Sequence, residues 1–391
     1  MKTLHIITRL IVGGAQENTL LTCEGLSARG HEVILLTGPS LGPEGSLMER
    51  AQRSGYRVIV TPHLVRSPHP WHDPAAYREI RRLCRELKPD VVHTHSSKAG
   101  ILGRAAAWKE KKNHSPIVVH TIHGLPFHPY QNGAANKLWI ALERSAAKKC
   151  DAIICVADAM TRQTLAAGVG RPELFRTIYS GMEVEPFLNP RESGAAVRAR
   201  LGIPPTAFVF GTIARLQPLK GHEDLRATFG TVLKHVPNAH LLWLGDGIFR
   251  VRFQQAFKER GWADRLTMSG LVPPTEVPQL LPAMDAVVHP SYREGLARAL
   301  PQALLAGVPV ISYDCDGAGE VCIDGVTGYL VRTGDSAALG TAMVKMARDP
   351  AQARVMGQTG RTQCLARFDE LVMVEQIAAL YEQLQQKGKR E

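Results

Sequence analysis

The feature that most restricts this chain is a rhythm, in which short runs of β-branched and other apolar residues recur and each is followed by a longer stretch of helical character. LHIITRL (4–10), HEVILLTG (31–38), YRVIVT (56–61), DVVHTH (90–95), IVVHTIH (117–123), DAIICV (151–156) and FRTIYSG (175–181) read as seven successive strands. Strands that alternate with helices pair in parallel, because each crossover helix returns the chain to the same end of the sheet. A turn-rich passage with several prolines, from VEPFLNPRESG to LGIPPTA, then interrupts the pattern. The rhythm restarts with FVFGTIA (208–214), AHLLWLGDG (239–247), LTMSGLV (266–272), AVVHPS (286–291), VPVISY (308–313) and TGYLV (327–331). The expected class is α/β, with two doubly wound, Rossmann-like domains over 1–190 and 191–369, a division that suits 391 residues. A last helix over about 370–391, with Leu371, Val374, Ile377, Leu380 and Tyr381 at helical spacing, is expected to pack back on the first domain. No repeat of 20–50 residues is present, which excludes a solenoid.

Open α/β sheets bind ligands outside the carboxyl ends of their strands, so the informative residues should lie on the loops that follow strands. In RLIVGGAQEN, Gly13 and Gly14 stand between the first strand and a helix starting near Ala15. Paired glycines let backbone approach a ligand, and the helix N-terminus offers N–H groups to an anion. The spacing is not GxGxxG, and a tight turn explains it equally well. In GTIARLQPLKG, Arg215 and Lys220 directly follow a strand, where a guanidinium and an ammonium would suit a diphosphate. In HPSYREGLARALPQALLAG, Glu294 and Gly295 precede a helix expected to begin close by, with the amides of Leu296 and Ala297 available to phosphate oxygens. Surface cations and a capping carboxylate are the plainer readings of these last two segments.

Other patterns carry less chemistry. Asp314 and Asp316 have DxD spacing, and His93, His95, His120 and His123 cluster at two strand ends, but acidic or cysteine partners at metal-ligand spacing are missing and no metal site is expected. GxSxG and P-loop patterns are absent, which removes a hydrolase triad and an NTPase engine. Seven scattered cysteines without CxxC favour neither zinc nor a disulfide framework. The apolar runs are too short to span a bilayer and the start of the chain does not read as a signal peptide, so a cytoplasmic protein is expected. The net charge of +11 is uneven: residues 1–190 carry 24 basic against 16 acidic side chains. Arg78, Arg81, Arg82, Arg85 and Lys88 on one helix and Lys109, Lys111 and Lys112 after another could face anionic lipid at the inner side of a membrane, or simply be solvated. Aromatic residues do not interleave with them, so nucleic acid is not the expected partner.

Taken together, GGAQE, HTHSSKAGILGR, HTIHGLPFH, YSGMEVEPF, ARLQPLKG, LGDG, SGLV, PSYREGL and the DGAGE turn resemble, in order and over nearly the whole chain, the retaining glycosyltransferases of family 4 with the GT-B fold. The resemblance implies that two domains face each other across a cleft and that a sugar passes from a nucleotide diphosphate to an acceptor hydroxyl without a metal or other cofactor. It implies that Arg215 and Lys220 hold the pyrophosphate, with Gly13 and Gly14 near it. Glu294 would bond the sugar's hydroxyls, and Gly295, Leu296 and Ala297 would meet the phosphates. The backbone at Leu271 and Val272 would read the base, with Gly245 and Gly247 beneath it, and His123 would lie beside the transferred sugar. One departure stands out: the second glutamate of the family's pair is Gln302 here, whose amide can both accept from and donate to ribose hydroxyls. A UDP-linked hexose or N-acetylhexosamine and a lipid-linked or cell-surface glycan acceptor are the expected substrates. The alternatives are a small aminocyclitol-type acceptor, a nucleotide-sugar 2-epimerase, and an inactive homologue that still binds nucleotide sugar.

Overall fold

The computed structural model describes residues 1–40 and 45–388. The last three residues of the expected terminal helix lie outside them. The chain divides into two compact units, the first Met1–Met182 with the segment from Asp369 onward, the second Glu183–Phe368. The division comes ahead of the 190/191 boundary expected from sequence, because the turn-rich passage is built into the second unit. Phe187 is buried there, and the Arg191 N–H donates to Gln279 Oε1 at 2.6 Å.

The first unit holds a seven-stranded sheet whose strands all pair in parallel: β1 (Lys2–Ile7), β2 (Glu32–Thr37), β3 (Arg57–Val60), β4 (Val91–His95), β5 (Ile117–Ile122), β6 (Ala152–Cys155) and β7 (Phe175–Thr177). Their spatial order is β3-β2-β1-β4-β5-β6-β7. Neighbouring apolar residues such as Ile6 and Ile7, or Val91 and Val92, are all buried, as strands covered on both faces require. Ile7, Leu20, Leu35 and Ile154 share one core with Met373, Val374, Ile377 and Tyr381 of the helix Glu370–Gly388. Leu371 does not join them and is 62% exposed; Met373 and Ala378 complete the buried stripe instead. The helix lies so close to Gly14–Ala28 that a Cβ on Gly25 would meet Val374 Cγ2 at 2.5 Å.

The second unit holds a six-stranded parallel sheet: β8 (Phe208–Ile213), β9 (Ala239–Leu244), β10 (Leu266–Gly270), β11 (Ala286–His289), β12 (Val310–Asp314) and β13 (Gly328–Arg332), in the order β10-β9-β8-β11-β12-β13. Phe210, Phe229, Trp243, Phe253 and Phe257 fill its core. All thirteen runs read as strands from the sequence are strands. In each sheet the chain reverses its direction of winding between two adjacent strands, β1 and β4 in one and β8 and β11 in the other. Successive loops diverge at such a point and leave a crevice at the carboxyl ends of the strands.

Candidate active site

In the second unit, the residues singled out from the sequence collect around the β8/β11 reversal. The loop after β8 carries Arg215 and Lys220, and the loop after β11 carries Glu294. Lys220 Nζ donates to Glu294 Oε1 at 2.5 Å. The same carboxylate oxygen accepts from Ser291 Oγ at 2.8 Å and lies 3.1 Å from His289 Nε2. Burial by itself would raise the Glu294 carboxyl, but the Lys220 ammonium and the His289 contact outweigh it and hold the group well below the usual carboxylate range. Glu294 is therefore an anion whose partners fix its direction. Arg215 is exposed and, among the described residues, pairs with no carboxylate.

The two loops lock together through backbone. The Tyr292 N–H donates to the Leu219 carbonyl at 2.9 Å. Gly221, at φ +72°, passes so near β11 that a Cβ there would sit 1.9 Å from the Pro290 carbonyl oxygen. Asp224 accepts from the hydroxyls of Tyr292 at 2.6 Å and Tyr313 at 2.8 Å, tying the loop after β11 and the end of β12 to the helix His222–His235. Asp316 accepts from the Glu294 N–H at 2.7 Å, so the second aspartate of the DxD pattern orients the Glu294 loop.

The amides of Leu296 and Ala297 do not open a helix, contrary to expectation. The helix runs Ala299–Leu305 with Arg298 before it. Pro301 explains the delay, because a helix begun at Gly295 would need a Pro301 N–H to reach the Ala297 carbonyl, and proline has none. The Leu300 N–H bonds that carbonyl instead, at 2.9 Å. Gly295 is fixed by the Gly317 N–H at 3.3 Å, and Gln302 sits half-buried on the short helix.

Gly245 and Gly247 pack closely against the β8 loop. Gly245 adopts φ +144°, and a Cβ on it would fall 2.1 Å from the Ala214 carbonyl oxygen; on Gly247 it would fall 2.4 Å from that of Leu216. The Gly245 N–H donates to the Gly270 carbonyl at 3.0 Å, which brings Leu271 and Val272 beside them. Leu271 is 54% exposed.

In the first unit the helix Gly14–Ala28 begins one residue earlier than expected, with Gly13 before it and no side chain capping its N–H groups. Ala15, Ser96, Phe127, Glu143 and His123 line one cavity of about 250 Å³ at the β1/β4 reversal. The histidine cluster includes a member missed in the sequence, His5, which is in register with His93 across β1 and β4. The rings of His5, His93 and His95 come within metal-binding distance of one another, yet both nitrogens of His93 are already engaged, Nδ1 with Tyr381 Oη at 2.6 Å and Nε2 with Thr121 Oγ1 at 2.7 Å. His93 could ligate an ion only by giving up one of these two bonds. The basic helix is also largely accounted for: Arg81 and Arg85 face the buried Glu110, and Arg82 pairs with Glu86. The seven cysteines are buried and unpaired.

Residues 12–185 match the family description "Glycosyltransferase Family 4" and residues 195–363 match "Glycosyl transferases group 1". The chain belongs to the group 1 glycosyltransferases of family 4. Among its relatives, the UDP-Gal:alpha-D-GlcNAc-diphosphoundecaprenol alpha-1,3-galactosyltransferase of Escherichia coli is 26% identical over 97% of this chain and 96% of its own. A GDP-mannose-dependent alpha-(1-6)-phosphatidylinositol monomannoside mannosyltransferase of Mycolicibacterium smegmatis is 25% identical over 89% of each. The fold is that of Anabaena Alr3699/HepE, solved in complex with UDP-glucose, at TM-score 0.81 and 22% identity, covering 98% of this chain and 100% of that one. The architecture is therefore GT-B and the activity is glycosyl transfer from a nucleotide sugar. No helix among the described residues is long and apolar enough to cross a membrane.

Proposed function

We propose that this glycosyltransferase works with retention and without a metal or other cofactor, moving a hexose or N-acetylhexosamine from a UDP-sugar to a hydroxyl of a lipid-linked glycan intermediate. The observation that carries the reading is the convergence of Lys220, Glu294 and the exposed Arg215 on the β8/β11 reversal. Cations at that point would neutralise a departing pyrophosphate, the task a metal performs in other transferases. Glu294, already ionised and aimed, would take hydrogen bonds from sugar hydroxyls. The bond from the anomeric carbon to the phosphate oxygen breaks as that to the acceptor oxygen forms on the same face, and the departing phosphate oxygen receives the acceptor's proton. By the family resemblance, Gly14 belongs to the phosphates, His123 to the transferred sugar and Gln302 to the ribose.

A lipid-linked acceptor is supported by the two relatives, whose names specify diphosphoundecaprenol and phosphatidylinositol acceptors. Contact with an anionic membrane is supported by Leu138 and Leu142, both exposed on the helix Gly133–Ala147 amid Lys137, Arg144 and Lys148, with Tyr130 exposed just before it.

The test is acceptor-dependent nucleotide release across a panel of UDP- and GDP-sugars with and without chelator, with the anomeric configuration of the product read by NMR. Arg215→Ala and Lys220→Ala should each lower kcat by about two orders of magnitude. Full turnover in both variants, an inverted product, or abolition by chelator would each sink the corresponding part of the proposal. Isomerisation of the donor without acceptor would point to an epimerase instead.

A further inference from the structure

Behind His123 stands a file of imidazoles for which the mechanism above has no use. His95 Nδ1 and His123 Nε2 are 3.2 Å apart, and His95 Nε2 and His5 Nδ1 are also 3.2 Å apart. The rings stack in sequence, at 5.4 Å and 26° for the first pair and 5.5 Å and 16° for the second. His5 and His95 are wholly buried. Burial, reinforced by neighbouring histidines, takes His5 down to about 3 and keeps His95 well below its ordinary range, so both are neutral near pH 7. A neutral imidazole has one N–H and one lone pair, and a file of them can be threaded in only two senses.

In the outward sense, His5 Nδ1–H donates to His95 Nε2 and His95 Nδ1–H donates to His123 Nε2. His123 then carries its proton on Nδ1, and the file ends inside the sheet on a lone pair at His5 Nε2. In the inward sense every bond reverses and His5 Nε2 is left as a buried N–H. Among the described residues that atom meets no partner. A buried N–H without an acceptor is the rarer defect than an unused lone pair, so the outward sense is favoured. His93 stays out of the file, because Tyr381 and Thr121 hold both its nitrogens.

We infer that His95, backed by His5, is a positioning residue that fixes His123 as the Nδ1–H tautomer, so that His123 gives a hydrogen bond to an oxygen of the bound sugar and does not act as a base. The role toward the sugar rests on the function proposed above; the tautomer does not.

The experiment is long-range ¹⁵N–¹H NMR of the histidine rings in the whole protein, paired with steady-state kinetics. His95→Asn places an amide N–H where Nδ1 stood, whereas His95→Leu removes the bond. The wild type should show His123 protonated on Nδ1. His95→Asn should keep that tautomer and most of kcat. His95→Leu should mix the tautomers and lower kcat about tenfold, the worth of one hydrogen bond, with the donor KM unchanged. A wild-type His123 protonated on Nε2 would overturn the inference even if neither variant folds. An unchanged tautomer and kcat in His95→Leu would overturn it as well. Absence of transfer from any nucleotide sugar, with the tautomer as stated, would defeat the proposed function and leave the imidazole file standing.

Discussion

At the scale of single residues, Glu294 shows why a carboxylate can be both partly buried and ionised. Its side chain is 17% exposed, and three neighbours converge on one of its oxygens. Because its folded pKa lies below the unfolded value, its contribution to stability is fully present above about pH 4.3 and is lost as the pH falls through the folded value. Glu294→Gln should therefore be less stable than wild type at pH 7, and the gap should narrow below about pH 4. Urea midpoints of the two proteins at pH 7, 4 and 3 would check this, and a gap that stays constant would refute it. His93 offers a second case. Tyr381→Phe would leave its buried Nδ1 without a partner and should cost about 1–3 kcal/mol, measurable as a lower urea midpoint with an unchanged slope.

At the scale of elements, the site depends on how closely two loops can pass. Gly221→Ala would drive a methyl into the Pro290 carbonyl at a left-handed φ, so the β8 and β11 loops would have to part. The expected result is a loss of about 2 kcal/mol or more together with a large fall in kcat, since Lys220 and Glu294 would no longer meet. Melting temperature and turnover measured on one preparation would show whether the two effects travel together. The strands themselves were legible because β-branched runs bounded by turns leave few other choices, and the loop positions of Arg215, Lys220 and Glu294 followed from them. The start of the helix at Ala299 is also within reach of the sequence, since Pro301 bars the earlier start expected beside Gly295. What stayed hidden were contacts between distant segments: Asp316 orienting Glu294, Asp224 joining two tyrosines, and His5 completing the imidazole file. Only the last left a sequence signal, since a histidine on β1 and an H-x-H on its neighbour share a face once the register is known.

At the scale of the whole molecule, the second unit is an uninterrupted stretch of chain with its own core, whereas the first is assembled from two separated pieces. A fragment spanning 183–368 should fold by itself and bind UDP, because Arg215, Lys220, Glu294, Gly245 and Leu271 all belong to it. Calorimetry with UDP on the purified fragment would decide the matter, and a fragment that is unfolded by circular dichroism would contradict it. Removal of everything after Phe368 should instead leave the first unit open, since Met373, Val374, Ile377 and Tyr381 would be missing from its core. The two pieces of the first unit meet where the Glu370 N–H donates to the Met182 carbonyl at 3.2 Å. During synthesis most of the first unit therefore leaves the ribosome early, and its closing helix follows only after the inserted unit is out. The nascent first unit must wait, its apolar core uncovered, until the helix Glu370–Gly388 emerges, and chaperone demand should concentrate in that interval.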